Sequence, residues 1–178
     1  MNYAAIKKTD VANGPGVRVS LFVSGCTHRC KGCFNSEAWD FCYGNPYNCN
    51  TEKEILEALE PSYIRGLSLL GGEPLEPQNK GQVLSLVKKV RRTYPLKDIW
   101  CYTGYDFEKD LLTWVQKGDR QMLELLKQLD VIADGEFVEE LKNLRLAFRG
   151  SENQRLIDVK QSFLQKRVIL VNPEIFQL

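Results

Sequence analysis

Histidine is nearly absent from this sequence of 178 residues, in which His28 is the only one. Mechanisms that need two histidines, such as a His-His-carboxylate zinc site, are therefore excluded. No apolar run approaches the roughly 20 residues that cross a bilayer, so a membrane protein is not expected. The N-terminal segment MNYAAIKKTD lacks the apolar core and cleavage pattern of a signal peptide, and we expect a cytoplasmic protein.

An excess of charge of one sign is also lacking, since the formal net charge is +1. Bulk attraction to a polyanion is not expected, and the basic cluster at residues 88–92 is interpreted as the solvated end of a helix rather than a nucleic-acid surface. Hydrophobic residues make up 43% and charged residues 26% of the chain, which is ordinary for a globular protein. With no internal repeat or linker, the length predicts one domain over residues 1–178.

Cysteine, by contrast, is concentrated in one stretch. The segment SGCTHRCKGCFN (24–35) holds Cys26, Cys30 and Cys33 at the spacing Cys-x3-Cys-x2-Cys. In a reducing compartment these residues are more often metal ligands than disulfide partners, and thiolates that converge from one loop suit a soft metal. A structural zinc site needs four ligands and an ordinary iron–sulfur cube needs four cysteines. Three cysteines therefore predict a metal centre with one open position.

The main alternative is a zinc knuckle completed by Cys42, Cys49 or His28. No second Cys-x2-Cys pair follows at finger spacing, which counts against it. We expect Cys42 and Cys49 to be plain loop cysteines, Cys101 to lie in the core, and His28 to be an exposed loop residue.

Apolar strands alternate with amphipathic helices along the chain. The strands are predicted at Val17–Val23, Gly66–Leu70, Asp98–Thr103 and Val131–Ala133, with Leu156–Val159 and Arg167–Val171 as further candidates. The helices are predicted after a capping box formed by Thr51 and Glu54, and at Gln82–Tyr94, Asp106–Val115 and Arg120–Leu129. This order predicts an α/β protein with a parallel sheet. A complete eightfold barrel needs ~200–250 residues, so an incomplete, open βα barrel or a doubly wound sheet is expected.

A second motif, Gly71-Gly72-Glu73-Pro74, follows the second predicted strand. Its glycines let the backbone approach a ligand, and Glu73 adds a carboxylate. The carboxyl ends of parallel strands meet at one edge, so this motif should lie near the cysteines. Thr103 and Asp134 end the next two strands. Thr103 is expected to line the same pocket, whereas a structural role for Asp134 competes evenly with a contact to a cofactor or a partner's loop.

The two motifs together resemble the radical S-adenosylmethionine superfamily. Their flanks are similar to the small activating enzymes of anaerobic ribonucleotide reductases, in VANGPG (11–16), LFVSGC (21–26), CFN (33–35), LSLLGGEPLEPQN (67–79), KDIWCYTGY (97–105), ADGEF (133–137) and RGSENQR (149–155). Gly32 occupies the usual aromatic position before the third cysteine and Phe34 follows it, as in the glycyl-radical-activating branch. The resemblance covers about residues 1–155 and leaves 156–178 as an extra C-terminal segment.

The resemblance implies that three cysteines hold a [4Fe-4S] cluster whose fourth iron binds S-adenosylmethionine. It implies no catalytic side chain beyond the cluster loop. The implied metal ligands are Cys26, Cys30 and Cys33, and the candidate cofactor-binding residues are Gly32, Cys33, Phe34, Gly71, Gly72, Glu73, Thr103 and Asp134. Gly71, Gly72 and Glu73 would receive the amino group of the methionine moiety.

The resemblance also implies a reaction and its partners. Reductive cleavage of S-adenosylmethionine would give a 5′-deoxyadenosyl radical that takes a hydrogen from a glycine of the partner. The expected partners are the large subunit of an anaerobic ribonucleoside-triphosphate reductase and a one-electron donor such as reduced flavodoxin. The alternatives are an activator of another glycyl-radical enzyme, a radical enzyme for a small molecule, and a non-enzymatic zinc-binding interaction module.

Overall fold

The structure, a computed structural model, describes residues 1–171. Its strands are β1 (Asn2–Asp10), β2 (Val17–Val23), β3 (Asn45–Pro46), β4 (Ile64–Gly71), β5 (Asp98–Tyr102), β6 (Val131–Asp134) and β7 (Arg155–Asp158). They form a seven-stranded sheet in the order β3-β1-β2-β4-β5-β6-β7. The pairs β2–β4, β4–β5 and β5–β6 are parallel, whereas β1, β3 and β7 pair antiparallel at the two edges. The predicted parallel arrangement is thus confirmed for the central strands, and the N-terminal strand was not predicted.

The helices differ in detail from the prediction. They are α1 (Cys49–Leu59), α2 (Pro77–Thr93), α3 (Thr113–Gln116), α4 (Arg120–Leu126) and α5 (Val159–Gln165), with 3-10 turns at Ser36–Trp39 and Glu139–Leu141 and a π-helical segment at Phe107–Leu112. The predicted cap of α1 is wrong, because Asn48 rather than Thr51 is the N-cap. The Asn48 side chain accepts hydrogen bonds from the N–H groups of Asn50 and Thr51, at 2.9 and 3.2 Å.

The four parallel strands follow one another across the sheet in chain order. A doubly wound sheet reverses the order of its parallel strands at a switch point, and the parallel strands β2, β4, β5 and β6 show no such reversal. Right-handed crossovers between consecutive strands place their helices on one face of the sheet. The order of the parallel strands favours the open barrel over the doubly wound sheet, and the open barrel stays a prediction.

The helix-covered face of the sheet is apolar, whereas the opposite face combines buried polar side chains with a small apolar cluster around Trp100. Cys101 is fully buried on the helix-covered face, as predicted. Arg18 is fully buried on the other face, where its Nε donates to Ser68 Oγ at 2.7 Å. The Ser68 hydroxyl donates in turn to the carbonyl oxygen of Asn13 at 2.6 Å. These contacts hold the glycine-rich turn before β2 against the polar face.

The C-terminal part of the described chain contains one unpredicted helix. The predicted strand Leu156–Val159 is present as β7, and α5 follows it directly. The predicted strand Arg167–Val171 is wrong, because only an isolated bridge joins Leu170 to Ile157. The rest of the 156–178 segment lies outside the described residues. Within residues 1–171, no helix is long and apolar enough to cross a membrane.

Candidate cofactor site

The cysteine loop leaves the end of β2 and is held by backbone contacts. The N–H groups of Gly25 and Cys26 donate to the carbonyl oxygens of Ala38 and Trp39, at 2.8 and 3.1 Å. Gly25 has φ +95°, and a Cβ atom there would lie 2.1 Å from the Phe41 ring. Only glycine fits this position without a shift of the neighbouring 3-10 turn.

A cavity of about 360 Å³, here called the central cavity, opens where the parallel strands end. Eight of the residues predicted from the sequence line it, namely Cys26, Cys30, Cys33, Phe34, Gly71, Gly72, Glu73 and Thr103. Gly32 and Asp134 are not among its lining residues. The structure thus brings the cysteine loop and the glycine motif together around one space, as their positions after neighbouring strands predict.

The three thiols share this cavity without forming a site for a single ion. Among residues 1–171, no three His, Cys, Asp or Glu side chains are placed to hold one metal ion. Cysteines that ligate an iron–sulfur cube bind different irons, so they do not have to meet at one point. Cys42 and Cys49 are exposed and do not line the cavity. The donor set therefore fits a three-cysteine cluster better than a zinc knuckle.

Burial shapes the chemistry of the metal-free thiols. It raises the pKa of Cys26 to about 11, with a further contribution from the Glu73 charge. Burial also raises the pKa of Cys30, although a hydrogen bond from the Phe137 N–H acts in the opposite direction. Both thiols are protonated at neutral pH when no metal is bound, so metal binding must displace these protons.

The Glu73 carboxylate is directed into the protein and is only 1% exposed. Its Oε1 accepts from the Leu75 N–H at 2.9 Å. Its Oε2 accepts from the Thr103 hydroxyl at 3.0 Å and from the Gly104 N–H at 2.8 Å. The Glu73 side chain, which was predicted from the sequence to bind the cofactor, therefore joins the loops after β4 and β5 through hydrogen bonds.

The backbone of the glycine pair lies against the cysteine loop. The N–H groups of Gly72 and Glu73 donate to the carbonyl oxygens of Val23 and Gly25, at 2.7 and 2.8 Å. Gly71 has φ +107°, and a Cβ atom on it would lie 2.6 Å from the Val23 carbonyl oxygen. Both glycines are required for this close approach, which leaves their backbone on the cavity wall.

Two further side chains tie the same elements together, and the sequence prediction did not include them. The Glu76 carboxylate accepts from the N–H and the hydroxyl of Thr27, at 2.8 and 2.6 Å. Asn79 Nδ2 donates to the carbonyl oxygens of Ser24 and Glu73, both at 2.9 Å. Both residues belong to the segment LSLLGGEPLEPQN, so its resemblance to the family was the available signal.

Asp134 is engaged in a structural ion pair. It accepts from Arg155 through Nε at 3.0 Å and Nη2 at 2.5 Å, and from the Phe107 N–H at 3.0 Å. Its side chain is 2% exposed. Of the two roles that the sequence left open for Asp134, these contacts favour the structural one.

The RGSENQR segment closes a loop beside the cysteines. Gln154 Oε1 accepts from the N–H groups of Gly150 and Ser151, at 2.9 and 3.1 Å. Gln154 Nε2 donates to the Gly135 carbonyl oxygen at 2.9 Å. These bonds pin both ends of a loop that places Phe137 on the wall of the central cavity.

His28 differs most from its prediction, because it is nearly buried rather than exposed. Its side chain is 9% exposed, with Nδ1 2.8 Å from Glu136 Oε1 and Nε2 3.3 Å from Glu73 Oε2. Burial lowers the pKa of His28, but the two carboxylates outweigh it and raise the pKa to about 9. Glu136 follows the carboxyl end of β6. Its position at the same sheet edge as the cysteine loop was the only feature of the sequence that could have predicted its contact with His28.

Comparisons with known proteins agree with this site. Residues 12–157 match the family model described as a 4Fe-4S single cluster domain. The chain is 47% identical over 156 residues to the anaerobic ribonucleoside-triphosphate reductase-activating protein of Enterobacteria phage T4. The aligned region covers 88% of this chain and 93% of the relative. The proteins of that name from Pasteurella multocida and Escherichia coli K12 are 42% and 41% identical, over 86% of this chain and 95% and 96% of theirs.

These matches extend over most of the chain and include both motifs that line the central cavity. The chain belongs to the family of anaerobic ribonucleoside-triphosphate reductase-activating proteins.

Proposed function

We propose that this protein activates an anaerobic ribonucleoside-triphosphate reductase by radical chemistry on S-adenosylmethionine. The single observation that carries the proposal is the central cavity, which three cysteines share with the backbone of Gly71 and Gly72. The name shared by these relatives supports the reductase as the partner over another glycyl-radical enzyme.

In this proposal Cys26, Cys30 and Cys33 hold a [4Fe-4S] cluster and leave one iron for the cofactor. When bound, the cluster supplies one electron to S-adenosylmethionine, which splits into methionine and a 5′-deoxyadenosyl radical that takes hydrogen from a glycine of the partner. Reduced flavodoxin or another one-electron donor supplies that electron.

The residues of the chain position the reactants. The backbone of Gly71, Gly72 and Glu73 is the proposed site for the methionine amino group, because the Glu73 carboxylate already has three hydrogen-bond donors. Thr103 acts through Glu73, whose oxygen accepts its hydroxyl hydrogen. Phe34 lines the central cavity and is 87% exposed, so its ring is available for contact with the protein partner.

An open βα barrel of the radical S-adenosylmethionine type remains part of the proposal. The consecutive order of the parallel strands supports it, since a barrel also adds its strands in chain order. An incomplete barrel leaves a wide mouth at the carboxyl ends of the strands, which suits a loop of a protein partner.

Anaerobic reconstitution with iron and sulfide tests the proposal. The reduced protein should form 5′-deoxyadenosine from S-adenosylmethionine, and Cys30→Ala should abolish this. Cys42→Ala is the matched control, because Cys42 is exposed and lies outside the central cavity. Addition of the reductase should then give a glycyl radical in the electron paramagnetic resonance spectrum. Cleavage that survives Cys30→Ala would refute the proposal.

A further inference from the structure

His28 connects four segments that the chain supplies from different places. It lies in the loop after β2, and its ring nitrogens face Glu73 from the segment after β4 and Glu136 from the segment after β6. Its ring packs edge-on against Tyr105, which follows β5, with 4.4 Å between ring centroids and 64° between planes. No other described side chain in the cysteine loop is held from three neighbouring segments in this way.

The space around the ring is closely fitted. A Cβ atom on Gly104 would lie 2.6 Å from His28 Cδ2, so the backbone after β5 passes directly beside the imidazole. The same Gly104 donates its N–H to the Glu73 oxygen that His28 faces, at 2.8 Å. A shift of the ring would therefore move the backbone after β5, which donates to Glu73 directly after the glycine pair.

We propose that His28 is a positioning residue that fixes the cysteine loop relative to the Gly71-Gly72-Glu73 segment. This inference rests on the proposed function, because it concerns where the open iron faces S-adenosylmethionine. Glu136 hydrogen-bonds one ring nitrogen, the Glu73 carboxylate lies within ion-pair distance of the other, and the ring holds the loop between Cys26 and Cys30. Replacement of a residue that orients metal ligands typically lowers metal affinity or activity by roughly 10–100-fold.

The test uses the reconstituted protein with two single variants and the double variant that combines them. His28→Leu keeps an apolar contact with Tyr105 and removes the contacts with Glu73 and Glu136. Glu136→Gln weakens only the contact between Glu136 and His28, and it changes a side chain that is half-exposed. Glu140→Gln is the matched control, because Glu140 pairs with Lys31 of the same loop at 3.3 Å but does not contact His28. The measurements are iron content, the dissociation constant of S-adenosylmethionine and the spectrum of the reduced cluster with and without it.

We expect His28→Leu to keep its iron, to bind S-adenosylmethionine roughly tenfold more weakly and to lose much of the spectral change on binding. Glu136→Gln should also weaken the binding of S-adenosylmethionine. The double variant should bind S-adenosylmethionine no more weakly than His28→Leu alone, because both changes act on one contact.

Unchanged affinity in Glu136→Gln would overturn the inference, even if His28→Leu fails to fold. Binding of S-adenosylmethionine by a folded, iron-loaded His28→Leu protein that is as tight as in the wild type would also overturn it. Failure of the wild-type protein to bind a cluster or S-adenosylmethionine would instead refute the proposed function.

Discussion

Gly72 lies so close to Gly25 that a Cβ atom on Gly72 would come within 2.6 Å of the Gly25 carbonyl oxygen. The two glycines belong to different motifs, one in the segment after β4 and the other one residue before Cys26. Their contact means that the glycine motif and the cysteine loop form one wall of the central cavity.

Gly72→Ala should therefore displace the cysteine loop. Because the added methyl group meets backbone atoms that cannot rotate away, we expect a loss of stability of about 1–3 kcal/mol. A displacement on the order of 1 Å at a reacting centre can lower the rate roughly hundredfold, and we expect that loss in 5′-deoxyadenosine formation.

Gly81→Ala is the matched control for that change. A Cβ atom on Gly81, within α2, would meet only the flexible end of Gln121 at 3.3 Å. This variant should be more stable by roughly 0.5–1 kcal/mol, since glycine is unfavourable inside a helix. Equal rates in the two variants would contradict the close-contact explanation.

Thr103→Val tests whether the Thr103 hydroxyl matters through Glu73. The substitution conserves the shape of the side chain, and it removes one donor from the buried Glu73 carboxylate and the acceptor of the Tyr105 N–H. The cluster-free protein should therefore lose about 1–3 kcal/mol in urea unfolding. The hydroxyl of Thr113 donates to a surface carbonyl at 3.3 Å, and Thr113→Val should change stability by less than roughly 0.5 kcal/mol. A Thr103→Val protein as stable as wild type would exclude this role.

The ion pair between Arg155 and Asp134 gives a third prediction. Arg155→Met would leave the buried Asp134 charge without its partner, and we expect a destabilisation of about 3–5 kcal/mol. Arg167 is an exposed control whose Nη2 donates to Gln165, so Arg167→Met should be near neutral. If the Arg155→Met protein were as stable as the wild type but did not bind S-adenosylmethionine, the result would instead indicate a direct role of Asp134 at the cofactor.

The ion pairs of the Asp130 carboxylate lead us to expect a loss of stability in acid. Burial raises its pKa, but contacts from Lys160, Arg91 and the Ile99 N–H outweigh burial and lower it below the ordinary value. A carboxylate with a lowered pKa in the folded state stabilises the protein above its unfolded pKa of roughly 3.9. That contribution is lost as the pH falls through the folded pKa.

The comparison with Asp130→Asn measures this contribution. At pH 7 the wild type should be more stable by roughly 1.5–3 kcal/mol, the range of hydrogen bonds to a charged group. The difference in unfolding free energy should shrink as the pH falls below about 4. A difference that is constant from pH 7 to pH 3 would show that the charge of Asp130 does not contribute.

Sequence reasoning succeeded where short-range pattern determines structure. The segment Val17–Val23 was predicted with its observed bounds, because its β-branched and apolar residues lie between a glycine turn and Ser24. By contrast, β1 was not predicted. Its sequence NYAAIKKTD has no clear alternation, and its backbone becomes a strand by pairing with β2 and β3.

The lining of the site was predictable, but the directions of its side chains were not. Positions after parallel strands indicate which residues meet at the sheet edge, and this placed Cys30, Gly71 and Thr103 around one cavity. Position does not reveal that the Glu73 carboxylate faces Thr103 rather than a ligand. It also does not reveal that His28 meets Glu136, 108 residues further along the chain.

The central claim is that a three-cysteine cluster and S-adenosylmethionine meet in the central cavity. The most direct test is the electron paramagnetic resonance spectrum of the reduced, reconstituted protein before and after S-adenosylmethionine is added. We expect a [4Fe-4S] signal that changes on addition, because in the proposed function the cofactor binds the open iron. A protein that holds one zinc and no iron, or a cluster signal that S-adenosylmethionine leaves unchanged, would contradict it.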